Sequence, residues 1–315
     1  MILRWAIASL LTLHHASAVE YPRSDRPEEL QSPKTRRSAK VGEAAPSRSV
    51  SHQSDVNTWT IFGFADGADT GPQGERTLFQ ESALRLSRRD SAFSGLQSGL
   101  GLAYSINDSA VVWFSASGIY EHAVAATAAD PVMAGAGFGA TAGLKYQLLD
   151  RATSGVGLAL QAEPFTQRTS NGSSTRELFG TQFRLIADVA LLPGQTFGAV
   201  NIAYEPQAGM SNLGVVHQQT KIEAALAASH RVSNNVFAGL EARYLSAYQG
   251  YTFSEQVGHA LFAGPTLAIN IGQSGYAGLA WSIQLAGRAA QDPDRKLDLV
   301  NFERHQMRIK AGFSF

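Results

Sequence analysis

The stretch from Phe138 to Leu148 reads FGATAGLKYQL, with an apolar residue at every second position. Thr141, Lys145 and Gln147 occupy positions in between. Successive side chains of a β-strand point to opposite faces, so this stretch predicts a strand with one apolar and one mixed polar face. It is as long as the roughly 9–11 residues that a tilted strand needs to cross the hydrocarbon layer of a bilayer.

The same two-residue period recurs from residue 77 to the C-terminus and divides the sequence into twelve predicted strands. Their expected ranges are 77–87, 93–106, 109–124, 136–149, 155–167, 177–191, 196–206, 219–230, 235–248, 258–271, 275–288 and 302–315. Lipid offers no hydrogen-bond partners to an open sheet edge, so a membrane-spanning sheet must close. We therefore predict an all-β fold, a closed antiparallel transmembrane up-and-down β-barrel of 12 strands, with 14 strands as the alternative.

The connections between these strands alternate in length. Short turns are expected near 107–108, 149–154, 193–195, 232–234 and 272–274, and longer polar links at 125–135, 168–176, 207–218, 249–257 and 289–301. Short periplasmic turns and longer external loops are typical of outer-membrane barrels. We expect none of the loops to be long enough to fold inward as a large constriction.

The composition narrows the range of functions. The 315 residues include 26 basic and 26 acidic side chains, so zero net charge argues against binding to nucleic acid. There are no cysteines, which excludes disulfides and thiolate metal sites. The eight histidines have no close metal-ligand spacing, and no G-x-S-x-G elbow occurs. We therefore expect no metal, no cofactor and no enzymatic activity.

Residues 1–18 have the features of a secretory signal peptide. Arg4 supplies the positive start, the run from Trp5 to Leu13 is apolar, and Ala16-Ser17-Ala18 offers small residues for cleavage. The apolar run is about half the roughly 20 residues that a spanning helix needs, so we expect cleavage rather than a membrane anchor.

Two further segments precede the predicted barrel of residues 77–315. Residues 19–57 contain scattered prolines and charges and few large apolar side chains, which predicts a disordered periplasmic tether. Residues 58–76 are more apolar, and we expect them to lie in or below the lumen as a candidate plug. They are the one candidate that we see for filling the lumen.

The last residues carry the most specific local pattern, an apolar stripe at Met307, Ile309, Ala311, Phe313 and Phe315 that ends with the chain. In this stripe the sequence resembles bacterial outer-membrane β-barrel proteins. The resemblance implies that Phe313 and Phe315 belong to the signal read by the barrel-assembly machinery. It also implies a place in the outer membrane, among its lipids and lipopolysaccharide.

A second resemblance lies just before the first predicted strand. The run Ala65-Asp66-Gly67-Ala68-Asp69-Thr70-Gly71, followed by Gly74-Glu75-Arg76, is similar to the leader of an uncharacterised proteobacterial barrel family. No activity comes with that resemblance.

The polar faces of the strands carry charges of both signs. The side chains expected to line the lumen are Glu81, Arg85, Glu121, Lys145, Glu163, Arg184, Asp188, Glu205, Lys221, Glu223, Glu241, Arg243, Arg288, Arg304, Arg308 and Lys310. Arg304, Arg308 and Lys310 share one predicted strand, and such a basic stripe favours anions unless acids on neighbouring strands pair with it. We expect pairing, for instance of Lys310 with Glu81, because unpaired charges in a narrow interior are costly.

A mixed-charge, glycine-rich inner face favours a passive, porin-like channel for small polar solutes. The alternative is a non-transporting anchor, adhesin or envelope-integrity protein, which predicts a filled lumen. The sequence leaves open the solute, the oligomeric state and the role of residues 19–76.

Overall fold

The computed structural model describes residues 56–88, 91–124, 133–171, 174–211, 214, 216–253 and 255–315. The predicted signal peptide and nearly all of the predicted tether lie outside these described residues. Within them, the chain forms two single-turn helices and twelve strands.

The strands follow the chain in order. They are β1 Arg76–Arg88, β2 Ser91–Asn107, β3 Ala110–Val124, β4 Met133–Leu149, β5 Val156–Ser170, β6 Thr175–Leu192, β7 Thr196–Ser211, β8 Val216–Ser233, β9 Val236–Gln249, β10 Glu255–Ile271, β11 Gly275–Ala289 and β12 His305–Ser314. The helices are α1 Thr58–Ile61 and α2 Arg151–Ser154.

Each strand pairs antiparallel with its neighbours in the sequence, and β1 pairs with β12 to close the sheet. The closing register places Thr77 opposite Ser314 and Leu86 opposite His305. The predicted closed antiparallel barrel of 12 strands is therefore confirmed over the described residues, and the 14-strand alternative is wrong. Closure leaves no sheet edge with unpaired backbone groups, as a lipid environment requires.

Several strands run further than their apolar stripes predicted. Most of the polar links expected at 168–176 and 207–218 is strand, because Arg168 pairs with Glu177 and Gln207 with Gly180 across the β-ladder. Backbone pairing does not need apolar side chains, so polar strand ends continue the sheet beyond the stripe that sequence periodicity detects.

The two faces of the sheet differ sharply. Outward side chains such as Phe138, Leu226 and Leu240 are exposed, and Leu240 is 68% accessible. The largest buried apolar cluster lies inside the barrel, where Phe197 and Phe237 on the strands pack against residues that precede β1. No helix among the described residues is long and apolar enough to cross a membrane.

Candidate functional site in the barrel lumen

Residues 56–75, here called the inner segment, lie inside the barrel ahead of β1. The carbonyl oxygen of Val56 accepts a hydrogen bond from Arg151 Nη2 in α2 at 3.1 Å. At the other end, the backbone N–H of Gln73 donates to Asp108 Oδ1 in the β2–β3 turn at 2.8 Å. Both contacts lie at the end of the barrel that carries the short turns, so the inner segment enters and leaves the lumen through the same end.

The deepest turn of the inner segment is held by Glu241 of β9. Its carboxylate accepts backbone N–H groups from Gly63 at 2.6 Å, Phe64 at 2.7 Å and Ala65 at 3.3 Å. Glu241 is 3% exposed. An irregular backbone inside a barrel must find partners for its polar groups, and one ionised carboxylate here satisfies three donors.

Arg308 of β12 binds the carbonyl oxygens of the same turn. Its Nη1 donates to the carbonyl oxygens of Gly63 and Phe64, both at 3.1 Å. Its Nε and Nη2 form a two-pronged pair with Glu81 of β1, both at 2.8 Å. The Arg243 guanidinium lies 3.6 Å from the centre of the Phe64 ring. The turn is therefore clamped between an acid and two bases.

A second anchor joins both arms of the inner segment to the α2 turn. Arg151 donates to Asp188 Oδ1 at 2.7 Å, to Asp69 Oδ2 at 3.0 Å and to Thr58 Oγ1 at 3.1 Å. Asp188 Oδ2 also accepts from Thr58 Oγ1 at 2.6 Å and from the Ala68 N–H at 2.7 Å. Although burial disfavours its charge, Asp69 and Asp188 hold the pKa of the Arg151 guanidinium above its ordinary value.

Asp66 is the third anchor, and it pairs with Arg184 of β6. Its backbone N–H donates to Asn201 Oδ1 at 2.7 Å, and its carbonyl oxygen accepts from Asn201 Nδ2 at 2.9 Å. Burial alone raises the pKa of the Asp66 carboxyl, but Arg184 and three further cations outweigh it. The pKa therefore lies below its ordinary value of 3.8, and Asp66 stays ionised.

Two lysines of the barrel wall also donate hydrogen bonds to carbonyl oxygens of the inner segment. Lys145 Nζ donates to the carbonyl oxygens of Gly67 at 2.9 Å and Asp69 at 3.2 Å, and it lies 4.7 Å from the centre of the Trp59 ring. Lys310 Nζ donates to the carbonyl oxygen of Trp59 at 3.4 Å. Cations thus face the carbonyl groups of the inner segment, whereas acids face its N–H groups.

The charged residues predicted for the lumen fall into two groups. Seven contact the inner segment: Lys145, Arg184, Asp188, Glu241, Arg243, Arg308 and Lys310. The others with a described polar side-chain partner bond to residues of the barrel itself: Arg85 with Glu121 at 3.0 Å, Lys221 with Glu205 at 3.4 Å, Glu223 with Arg243 at 3.7 Å, Glu163 with Trp113 at 3.0 Å, and Glu81 with Arg308.

Three expectations about the charged side chains need correction, and the first concerns the closing seam. Lys310 lies directly opposite Glu81 in the register of β1 and β12, as predicted. Glu81 nevertheless pairs with Arg308 on the diagonal, because the guanidinium fork can give both carboxylate oxygens a hydrogen bond. The Lys310 ammonium points to the inner segment instead.

The other two corrections are Arg288 and Arg304. A bulge between β10 and β11 shifts the register at Leu261 and Phe262, so Gly287 faces the lumen. Arg288 is therefore exposed on the outer face, paired in register with His259. Arg304 precedes β12 and is exposed, so the basic stripe of that strand contains Arg308 and Lys310.

The loop between β11 and β12, residues 290–304, folds into the opposite mouth of the lumen. Asp298 is buried and its Oδ1 accepts the Asn301 N–H at 2.9 Å. Phe302 packs against Ala260 and Phe262 on the inner face of β10. The expectation that no loop is long enough to fold inward as a large constriction therefore overlooked this loop, which does fold into the mouth. Its signal was the Asp298-x-x-Asn301 spacing, which suits a turn closed by an aspartate side chain.

Sequence reasoning also missed Arg151, Asn201 and Ser229 as contacts of the inner segment. Arg151 lies in a short turn, where strand periodicity says nothing about side-chain direction. Asn201 and Ser229 do occupy lumen-facing positions, and Ser229 Oγ donates to the Ile61 carbonyl at 3.2 Å. They carry no charge, so a search for charged lumen residues passes over them.

Solved structures of outer-membrane barrels are similar to this chain in fold. The translocator domain of the autotransporter NalP from Neisseria meningitidis has a TM-score of 0.51 and 13% identity, over 79% of this chain and 91% of its own. The β-domain of the Bordetella autotransporter BrkA has a TM-score of 0.50 and 11% identity, over 77% of this chain and 100% of its own. An outer membrane channel from Pseudomonas putida F1 has a TM-score of 0.49 and 12% identity, over 79% of this chain and 98% of its own.

The predicted resemblance to outer-membrane β-barrel proteins is thus confirmed at the level of the fold, and its proteobacterial origin stays a prediction. No curated protein matches the chain in sequence. A family model does match, over residues 54–315, which takes in the inner segment together with the whole barrel. The chain therefore belongs to DUF6662, a family of unknown function.

Proposed function

We propose that this protein is an outer-membrane channel for small polar solutes that its own inner segment closes at rest. The supporting observation is that a piece of chain preceding the strands occupies the lumen, where Phe62 and Ala65 pack against Phe197 and Phe237. The inward Gly157 leaves room for the inner segment, because an added Cβ atom there would lie 3.0 Å from Ala68 Cβ. An interior of 12 strands is also wider than the eight-stranded barrels that side chains nearly fill.

The way in which the inner segment is held also supports a gate. Its deep turn is bound to Glu241 and Arg308 by hydrogen bonds to backbone atoms, with no covalent link. Because it enters and leaves at one end, it can withdraw without threading through the barrel. Withdrawal would expose charges of both signs to water, which suits polar solutes without strong selectivity for either sign.

The proposal includes export by the N-terminal signal and assembly into the outer membrane. It assigns no enzymatic activity to the protein. The exposed apolar outer face suits lipid and lipopolysaccharide. The rings of Phe313 and Phe315 are exposed and stacked with centres 6.4 Å apart, at the position expected of the assembly signal.

The test is the conductance of the refolded protein in planar bilayers. The full chain should show rare, small openings, whereas a variant lacking residues 57–74 should show steady steps. Deletion of an equally long piece of the tether, residues 26–43, is the matched control and should behave like the full chain. Circular dichroism and heat-dependent migration on gels verify that each variant forms a barrel.

A non-transporting anchor is the second candidate, and the inward β11–β12 loop favours it. Phe302 and Asp298 are buried at the mouth opposite the one through which the inner segment enters. A folded variant lacking residues 57–74 with no conductance above background would support the anchor and overturn the channel.

A further inference from the structure

A small cavity of about 70 Å³ lies between the inner segment and the barrel wall. Trp59 and Asp66 of the inner segment form one side of it, and Phe79, Trp113, Glu163 and Lys310 form part of the other. At the ~10–15 Å³ of such volume that one water-sized group needs, the cavity has room for about five to seven such groups.

Lys310 presents an incompletely bonded cation to this cavity. The carboxylate opposite it in the register, Glu81, is already occupied by two hydrogen bonds from Arg308 at 2.8 Å. Lys310 Nζ keeps a single long contact, 3.4 Å to the carbonyl oxygen of Trp59, although the residue is only 7% exposed. An ammonium group has three donors, so this buried site calls for an acceptor.

Glu163 presents the opposite charge to the same cavity. Its Oε2 accepts a hydrogen bond from Trp113 Nε1 at 3.0 Å. Among the described residues, Oε1 has no hydrogen-bond donor, and no cation forms an ion pair with Glu163. A carboxylate can accept several hydrogen bonds, so this second oxygen calls for a donor.

The remaining walls combine aromatic rings with polar side chains, including the paired Glu81 and Arg308. Two glycines leave room for two of the rings. A Cβ atom on Gly101 would come within 2.8 Å of Phe79 Cε1, and one on Gly143 would overlap the Trp113 ring.

The charges of Glu81 and Asp66 at the cavity are already paired, with Arg308 and Arg184 respectively. Of the lining charges in the described part of the chain, Lys310 and Glu163 are the two without an ion pair, and both keep free hydrogen-bonding positions.

We infer that this cavity binds a small zwitterion of the size of glycine, with its ammonium group on Glu163 and its carboxylate on Lys310. Both charged partners belong to the wall, and Trp59 and Asp66 of the inner segment complete the cavity. The complete site therefore exists only when the inner segment is docked, so binding stabilises the docked state. This goes beyond the proposed channel, because binding at equilibrium does not require conduction.

The test is a titration of the refolded full chain in detergent with glycine, followed by tryptophan fluorescence. Trp59 and Trp113 line the cavity, so binding should give a saturable change. Glu163→Gln and Lys310→Gln should each raise the Kd about tenfold or more, as expected for loss of a charge-assisted hydrogen bond. Glu205→Gln and Lys221→Gln alter an ion pair elsewhere in the lumen and should leave the Kd unchanged.

Acetate and methylammonium, each carrying half of the glycine charge pattern, test the assignment on the unaltered chain. Both should bind at least tenfold more weakly than glycine. The absence of a saturable change with glycine would overturn the inference. Equal binding of acetate would show a simple anion site, and equal binding of methylammonium a simple cation site; either result also overturns it. Glycine binding in a barrel that never conducts would overturn the proposed channel and would still support this binding site.

Discussion

The inner segment and the β11–β12 loop fill opposite ends of one lumen by different means. The inner segment is held by charged side chains from strands far away in the sequence, such as Glu241 and Arg308. The loop is also bound by the strands, since Arg88 of β1 donates to two carbonyl oxygens of the loop. It has an acceptor of its own as well, because the Asp298 carboxylate binds N–H groups of the loop backbone, and Phe302 packs against β10. The contrast lies in what binds the backbone N–H groups: an acid of the strands at the deepest turn of the inner segment, and the loop's own Asp298 in the loop.

The difference follows from where each piece lies. The inner segment runs deep in the barrel, where its irregular backbone has little access to water, and unpaired polar groups there are costly. The strands supply the missing partners as ionised side chains. The loop lies at a mouth of the barrel and supplies part of its own bonding, through the Asp298 carboxylate and the N–H groups of Val300 and Asn301. We therefore expect single charge changes to release the inner segment, and loop changes to have smaller effects.

The largest effect is expected from Arg151→Ala. It leaves the buried carboxylate of Asp188 and the partly buried one of Asp69 without their common cation, and breaking such a pair costs about 3–5 kcal/mol. The inner segment should undock, and the open probability in bilayers should rise at least a hundredfold. The control is Arg168→Ala, whose ion pair with Glu177 is exposed and should contribute at most ~1 kcal/mol. Equal conductance of the two variants would contradict the role of Arg151.

A somewhat smaller effect is expected from Glu241→Gln. The amide keeps one acceptor oxygen but turns an N–H₂ group toward backbone donors, so roughly 2–3 kcal/mol of docking free energy should be lost. The open probability should rise by about one to two orders of magnitude. Glu205→Gln is the matched change, because Glu205 bonds to Gln182 and Lys221 rather than to the inner segment. If both variants open equally, general loss of lumen charge is responsible.

Asp298→Ala tests the loop side of the comparison. It removes the acceptor of the Asn301 N–H and should loosen the loop by about 1–2 kcal/mol. In the full chain, conductance should stay low because the inner segment remains docked, whereas in the variant lacking residues 57–74 the steps should become larger. Asp294→Ala, a change of an exposed residue in the same loop, should alter neither. A steadily open full-length Asp298→Ala barrel would make the loop, and not the inner segment, the gate.

The smallest effect is expected from mild acidification. The docked pKa of Asp66 lies below its ordinary value of 3.8, so its stabilisation is complete above that value and is lost only as the pH falls below it. Lowering the pH from 8 to about 5 should therefore leave the Asp66 contribution intact, with the open probability unchanged. Asp66→Asn should raise the open probability at pH 7, because Arg184 then loses its partner. Opening of the unaltered chain between pH 7 and 5 would contradict this account.

A structural feature could be predicted from the sequence where it depends on neighbouring residues, and not where it depends on residues far apart in the chain. A strand such as β4 could be predicted because alternation is a local property, in which each residue fixes the face of the next. The same rule indicated the inward side of Glu241 and Arg308. It failed at Arg288, because a bulge inserts one residue and reverses the faces beyond it.

The sequence alone determined the strand periodicity, the closed barrel that lipid demands, and the contrast between an apolar outside and a charged inside. Only the tertiary structure decided which charges meet: Arg308 rather than Lys310 with Glu81, and Arg151 with Asp69 and Asp188. The physical reason is that partner choice depends on distances across the lumen and on the competition of several donors for one carboxylate. Neither quantity is a property of a stretch of chain taken by itself.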